Sequence, residues 1–207
     1  MVASFFFSNT VLTSSTAVPK NMYYCLIYRP QIDFQKINLF KEKYDPYYPG
    51  IGAHITLVFP VPSSEVSEEK FEKHIREVLI KHRSFEVHLS GFEKSMDHWL
   101  FLSIKEGNKE ITKLHDDLYT SFLKMYMRDD LPFSPHIGIG LFTNKELNYD
   151  LKNPTILALD KEKYEKALKE AESLNLDYRI KFDKVSFLKV EKDLRTIVFE
   201  REISFNS

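Results

Sequence analysis

Apolar and polar residues alternate along this chain in two periods, and the switches between them predict its elements. The run from Tyr23 to Tyr28 is almost wholly apolar or aromatic and ends at Arg29-Pro30, which predicts a buried strand. Phe34, Ile37, Phe40 and Tyr44 then recur at helical spacing, predicting a helix over 32–44 that Asp45-Pro46 stops. A loop rich in Tyr, Pro and Gly leads into a strand over 53–59, with Pro60 and Pro62 closing it. Over 65–83 the stripe Phe71, Ile75, Val78 and Leu79 predicts an amphipathic helix, with His74 and His82 on its solvated side. Residues 85–92 and 98–104 alternate as strands and are joined by a polar link, so they are expected to pair antiparallel; structural roles are the default for His88, His98 and Trp99. A second long helix is expected over 108–127, with Ile111, Leu114, Leu118, Phe122 and Met125 as its stripe. A turn over 128–132 feeds a strand over 135–141, and a charged helix near 160–174 precedes strands near 178–190 and 195–205.

Strand-helix-strand therefore occurs twice, which predicts an α+β fold with pseudo-twofold character. With 207 residues, 43% of them hydrophobic, the chain can bury a core as one domain or as two lobes sharing one sheet system. Residues 22–207 are read as that single two-lobed domain. Residues 1–21 lack a basic residue before Lys20 and form a poor signal peptide, so they are read as a disordered extension, with Met22 a candidate natural start.

Formal net charge is −1, with both signs interspersed, which excludes a global field for holding long nucleic acid. A small or terminal phosphodiester fits better. The lone Cys25 excludes an intrachain disulfide and a cysteine zinc site, and suits a reducing, cytoplasmic setting. No apolar run is long enough to span a bilayer, so no membrane partner is expected.

The candidate chemistry lies in two strands, Ala53-His54-Ile55-Thr56-Leu57-Val58-Phe59 and Pro135-His136-Ile137-Gly138-Ile139-Gly140-Leu141. Alternation sends His54 and Thr56 to one face of the first, and Ser134, His136, Gly138 and Gly140 to one face of the second. Positions two apart on a face are separated by roughly 6.6 Å, so His54 and Thr56 can grip neighbouring atoms of one small group, of which phosphate is the natural candidate. Side by side in one sheet, the two strands would bring two imidazoles to one cleft. A single histidine in an apolar strand is ordinarily a core or edge residue with a satisfied hydrogen bond; two in matched contexts, each after a Pro- or Gly-rich loop, are hard to ascribe to packing alone.

His54-Ile55-Thr56-Leu57 and His136-Ile137-Gly138-Ile139, with Tyr44-Asp45-Pro46 upstream and Phe59-Pro60 after the first motif, resemble the 2H phosphoesterases, more narrowly the 2′-5′ RNA ligase-like family. That family pairs two motifs of the form His-hydrophobic-Thr/Ser-hydrophobic. The resemblance covers nearly the whole chain from Met22. It implies a two-lobed fold of pseudo-twofold antiparallel sheets, helices outside and the motifs on the floor of a central cleft. It also implies a metal-independent phosphodiesterase, needing no cofactor and no metal, that acts on 2′,3′-cyclic phosphate or 2′-5′ linkages of RNA ends or small nucleotides. One neutral histidine takes a proton from water and the other, protonated, gives one to the departing ribose oxygen. An unperturbed imidazole titrates near pH 6.5, so both states are accessible. Thr56 would donate its hydroxyl to a phosphate oxygen.

Gly138 stands where the family has its second Thr or Ser, so one hydroxyl is missing. Ser134, on the histidine face, or a close approach of substrate to the glycine backbone would be the physical repairs. Tyr47, Tyr48 and Phe133 lie in the feeding loops and are candidates for base stacking, with core or rim packing the better expectation. Arg128 and Lys145 flank the second motif as candidate phosphate neutralisers, with a surface role the default for both. The competing function is a nucleotide- or RNA-binding module that kept the cleft and lost efficient catalysis through Gly138. The chain is expected to act as a monomer.

Overall fold

The computed structural model describes residues 22–95, 98–128, 132–143 and 159–205. The extension expected over 1–21 and Lys145 lie outside the described residues. Strand β1 (Met22–Tyr28), helix α1 (Gln35–Tyr44) and strand β2 (Ile55–Pro62) form a first unit, followed by α2 (Glu68–Leu79) and β3 (Phe85–Lys94). Strand β4 (Trp99–Glu106), helix α3 (Asn108–Leu118) and strand β5 (His136–Leu141) form the second, followed by α4 (Lys161–Ser173) and β6 (Asp177–Phe182). Strands β7 (Lys184–Glu191) and β8 (Ile197–Ser204) follow.

The strands make two four-stranded sheets, ordered β2-β1-β7-β8 and β5-β4-β3-β6, with every neighbouring pair antiparallel. Each position in one sheet has a counterpart in the other, and the two histidine motifs occupy matching edges. The sheets exchange strands: β3 follows the first unit but pairs in the second sheet, and β7 follows the second unit but pairs beside β1. The expected α+β fold with pseudo-twofold sheets is the fold observed.

One hydrophobic core runs through both sheets and the helices packed on them. β1 is central and buried on both faces: Tyr24, Leu26 and Tyr28 enter the main core, while Cys25 and Ile27 meet Leu188 and Val190 on the other side. Ser67 caps α2 by accepting from the Lys70 amide at 3.3 Å, and Glu68 and Glu69 favour that helix's positive end. The helix buries Phe71, whose ring stacks on Phe187 at 5.1 Å; a fully buried side chain of this kind contributes about 1.5–3 kcal/mol.

Four sequence expectations change. The first histidine strand, expected over 53–59, is Ile55–Pro62: it ends at Pro62 as expected but takes Pro60 inside it, because β2 is an edge strand and a proline there forfeits no necessary ladder bond. The helix expected over 108–127 ends at Leu118; Tyr119 and Thr120 leave helical geometry, Ser121 has φ 54°, and a 3₁₀ turn over Ser121–Tyr126 leaves Met125 75% exposed. The strand expected over 178–190 is two strands in different sheets, β6 and β7, parted at Asp183. His74 and His82 are not solvated: a ring nitrogen of His74 lies 2.9 Å from the Leu118 carbonyl, and His82 Nε2 lies 2.9 Å from Asp117 Oδ2, so α2 and the turn after it are both fastened to α3. Periodicity along one helix cannot show what a neighbouring helix supplies.

Candidate active site

His54 lies immediately before β2 and His136 opens β5. The two motifs belong to two sheets, not one as side-by-side pairing would require; they meet because the edge strands β2 and β5 pack against one another. Each imidazole is held by the same local device. His54 Nδ1 lies 2.8 Å from the Gly52 carbonyl and His136 Nδ1 lies 2.6 Å from the Ser134 carbonyl, in both cases the residue two positions earlier. A carbonyl only accepts, so each Nδ1 donates. Gly52 reaches this position with φ +81°, a conformation that suits glycine.

Burial drives the His54 pKa down to about 4 from its ordinary 6.5. The Gly52 hydrogen bond opposes that shift, while the charges of Lys41, Arg29 and His136 reinforce it. His54 is therefore a neutral imidazole at physiological pH, surrounded by positive charge, as an anion-binding site requires. The His136 ring stacks on Phe101 of β4, with centroids 3.4 Å apart and planes 16° from parallel.

Two of the surrounding cations are anchored from below. Lys41 on α1 is buried, and its Nζ donates to Asp45 Oδ2 at 2.5 Å and to the Gly138 carbonyl at 2.9 Å. Asp45 Oδ1 in turn accepts from the Tyr47 amide at 2.8 Å. Arg29 donates to Ile51 O at 2.5 Å and to Glu200 at 2.6 and 3.0 Å, pinning the loop that presents His54.

Thr56 is half-buried, with Ile55 and Leu57 on either side fully buried, so the alternation expected of this strand holds. Gly138 lies under Trp99: a Cβ added there would come 3.3 Å from Trp99 Cε3 and 3.5 Å from Cζ3. The indole crowds the space a side chain would enter. Ser134 is exposed and precedes β5, and it is its carbonyl that serves His136.

Of the loop aromatics, Tyr47 lies against Trp99, centroids 6.1 Å apart and planes 17° from parallel, with the Arg195 guanidinium 4.6 Å from its ring centre. Tyr48 is half-buried, and Phe133 stacks on His115 at 3.7 Å. Arg128 is half-buried and its charge acts on the Tyr119 phenol. The places of Lys41, Asp45, Arg29 and Trp99 around the site were not legible in the sequence. For Trp99 a signal existed: glycine in a strand interior marks a close approach, and Trp99 lies in the strand that pairs with Gly138. Among the described residues, no group of three or more His, Cys, Asp or Glu is placed to hold a metal ion. No described helix is long and apolar enough to cross a membrane.

The family model of the 2′-5′ RNA ligase superfamily matches residues 28–194. A Halalkalibacterium halodurans protein provisionally named a phosphoesterase is 30% identical over 115 residues, 55% of this chain and 63% of that protein. A Geobacillus kaustophilus protein with the same provisional name is 25% identical over 120 residues, 57% of this chain and 68% of that one. The matched stretch thus spans about three fifths to two thirds of these relatives' own length. The crystal structure of TT0787 of Thermus thermophilus aligns with a TM-score of 0.50 and 12% identity, covering 90% of this chain and 100% of the other, a likeness of fold.

Proposed function

Because the chain belongs to the 2′-5′ RNA ligase superfamily, we propose that it is a metal-independent phosphodiesterase that opens 2′,3′-cyclic phosphates or cleaves 2′-5′ linkages of RNA ends or small nucleotides. The observation that carries this reading is the mirrored pair of imidazoles, each with its Nδ1 donating to the carbonyl two residues earlier, on matching edge strands that pack together. His54, kept neutral by burial and surrounding positive charge, is the general base: its Nε2 takes a proton from water as the water oxygen attacks phosphorus. His136, protonated, gives the proton on its Nε2 to the ribose oxygen as the P–O bond breaks. In the reverse direction, ligation, the roles exchange. The Thr56 hydroxyl donates to a non-bridging oxygen, where charge develops in the transition state. The phosphodiester's negative charge draws the His54 pKa upward on binding, so a base that is weak in the free protein strengthens once substrate is seated.

The experiment is a panel of 2′,3′-cyclic mononucleotides, 2′-5′ dinucleotides and cyclic-phosphate-ended RNA, each assayed with EDTA present. Turnover should survive the chelator and vanish in His54→Ala and in His136→Ala while product binding persists. Activity lost on chelation and restored by zinc or manganese would overturn the mechanism. A second reading, a nucleotide- or RNA-binding module with weakened catalysis, is favoured by one observation, the Trp99 ring packed close against Gly138, the position that lacks the second hydroxyl. Binding without turnover across the whole panel is the result that selects it.

A further inference from the structure

We propose that the cavity beside His136 is a nucleobase subsite that selects guanine; this rests on the phosphodiesterase reading for how substrate enters, and on the cavity's own chemistry for the base. The cavity measures about 280 Å³, at the small end for ligand sites, where a single base fits better than a dinucleotide. It continues the catalytic face of the second sheet. Ser103 is the cross-strand partner of His136, Phe101 lies two residues before Ser103, and Glu93 is the partner of Phe101, so these four side chains share one face. Phe133 and Asn108 complete the wall. A nucleotide whose phosphate lies between the histidines therefore extends from His136 into this cavity.

Its aromatic walls, Phe101 and Phe133, offer a π-surface for a planar base. Its polar groups say which base. Ser103 is 4% exposed and its Oγ is buried with no hydrogen-bond partner, an uncommon state for a hydroxyl unless a ligand completes it. Asn108 donates its Nδ2 to the Ile104 carbonyl at 2.5 Å, which leaves Oδ1 as an acceptor. Glu93 stands at the rim with its carboxylate 3.5 Å from Lys105 Nζ, a loose and solvent-exposed pair. The Glu93 carboxylate therefore only accepts, and Asn108 offers Oδ1 as a further acceptor beside its second amide N–H. Guanine presents the most donors on one edge, its N1–H beside its N2 amino group, and that pair matches the two oxygens of a carboxylate; uracil presents one N–H.

The test compares kcat/KM for the four 2′,3′-cyclic mononucleotides and, separately, calorimetric binding of guanosine and uridine 3′-monophosphates, in the wild-type protein, Glu93→Gln and Ser103→Ala. Guanine should lead uracil by about tenfold or more in both measurements, the size of one charge-assisted hydrogen bond. Glu93→Gln should lower the guanine values about tenfold and leave the uracil values unchanged. Ser103→Ala, which removes a hydroxyl unpaired in the free protein, should weaken guanine binding without loss of thermal stability. Equal values for all four bases, a lead for another base, or indifference of the guanine values to Glu93→Gln would overturn the subsite. Turnover without the guanine preference defeats the subsite alone. Guanosine phosphate binding with the expected variant effects, but no turnover of any cyclic phosphate, defeats the phosphodiesterase reading alone.

Discussion

Lys41 and Gly138 are joined across the molecule: the buried ammonium on α1 donates to the Gly138 carbonyl of β5 at 2.9 Å while holding Asp45 at 2.5 Å. One side chain thus ties the helix preceding the first histidine motif to the backbone of the second. The substitution Lys41→Met leaves Asp45 buried without its partner, and loss of one member of a buried pair costs about 3–5 kcal/mol. Urea unfolding should show a loss of that order, and Lys41→Met combined with Asp45→Asn should lose less. Equal losses in the single and double variants would show that the pair is not what the position requires.

Lys41 also acts on His54 through its charge. In kcat/KM, which reports the free protein, the acid limb set by His54 should lie well below pH 6.5, as its pKa of about 4 dictates. Removing the positive charge in Lys41→Met should move that limb toward neutrality. An acid limb near 6.5 in the wild-type protein would contradict the electrostatics of the site.

The same shift makes folding pH-dependent. Between about pH 4 and 6.5 the unfolded chain binds a proton at His54 that the folded protein refuses, so the contribution to stability is full above about 6.5 and is lost as pH falls toward 4. Thermal unfolding of His54→Gln should be less sensitive to pH across this window than that of the wild-type protein. Parallel curves for the two proteins would refute the assignment.

Trp99 determines what a hydroxyl at position 138 can do. A Cβ there meets the indole at 3.3 Å, so Gly138→Thr should lower kcat/KM severalfold rather than repair the motif. Gly138→Thr combined with Trp99→Leu should recover more than the single variant. At the first motif, Thr56→Ala should cost about 10²-fold in kcat/KM and Thr56→Ser, which keeps the hydroxyl, much less. A gain of activity in Gly138→Thr alone would show that the indole yields.

Most of the fold was legible because its signals are local. The alternation around His54 and His136, the apolar stripe of α2, the Asp45-Pro46 stop and the repeated strand-helix-strand order each depend on residues within a few positions of one another. The same limit explains the misreadings: nothing near Tyr178 in sequence says that the chain changes sheets at Asp183, and nothing near His74 says that the Leu118 carbonyl will meet it. At the site, His54, Thr56, His136 and the anomalous Gly138 could be singled out from alternation and motif.

Chain order alone specifies which residue types stand at each motif and which face of each strand they take, since period-2 geometry assigns side chains to faces whatever the sheet's partners are. Folding in three dimensions is what sets the motifs on the edges of two different sheets, holds the charges of Lys41 and Arg29 near His54, and brings Trp99 close against Gly138. These are relations between residues far apart in the chain, set by strand register and core packing. A pKa depends on burial and on distance to charge, and neither quantity exists until the chain has closed around the group.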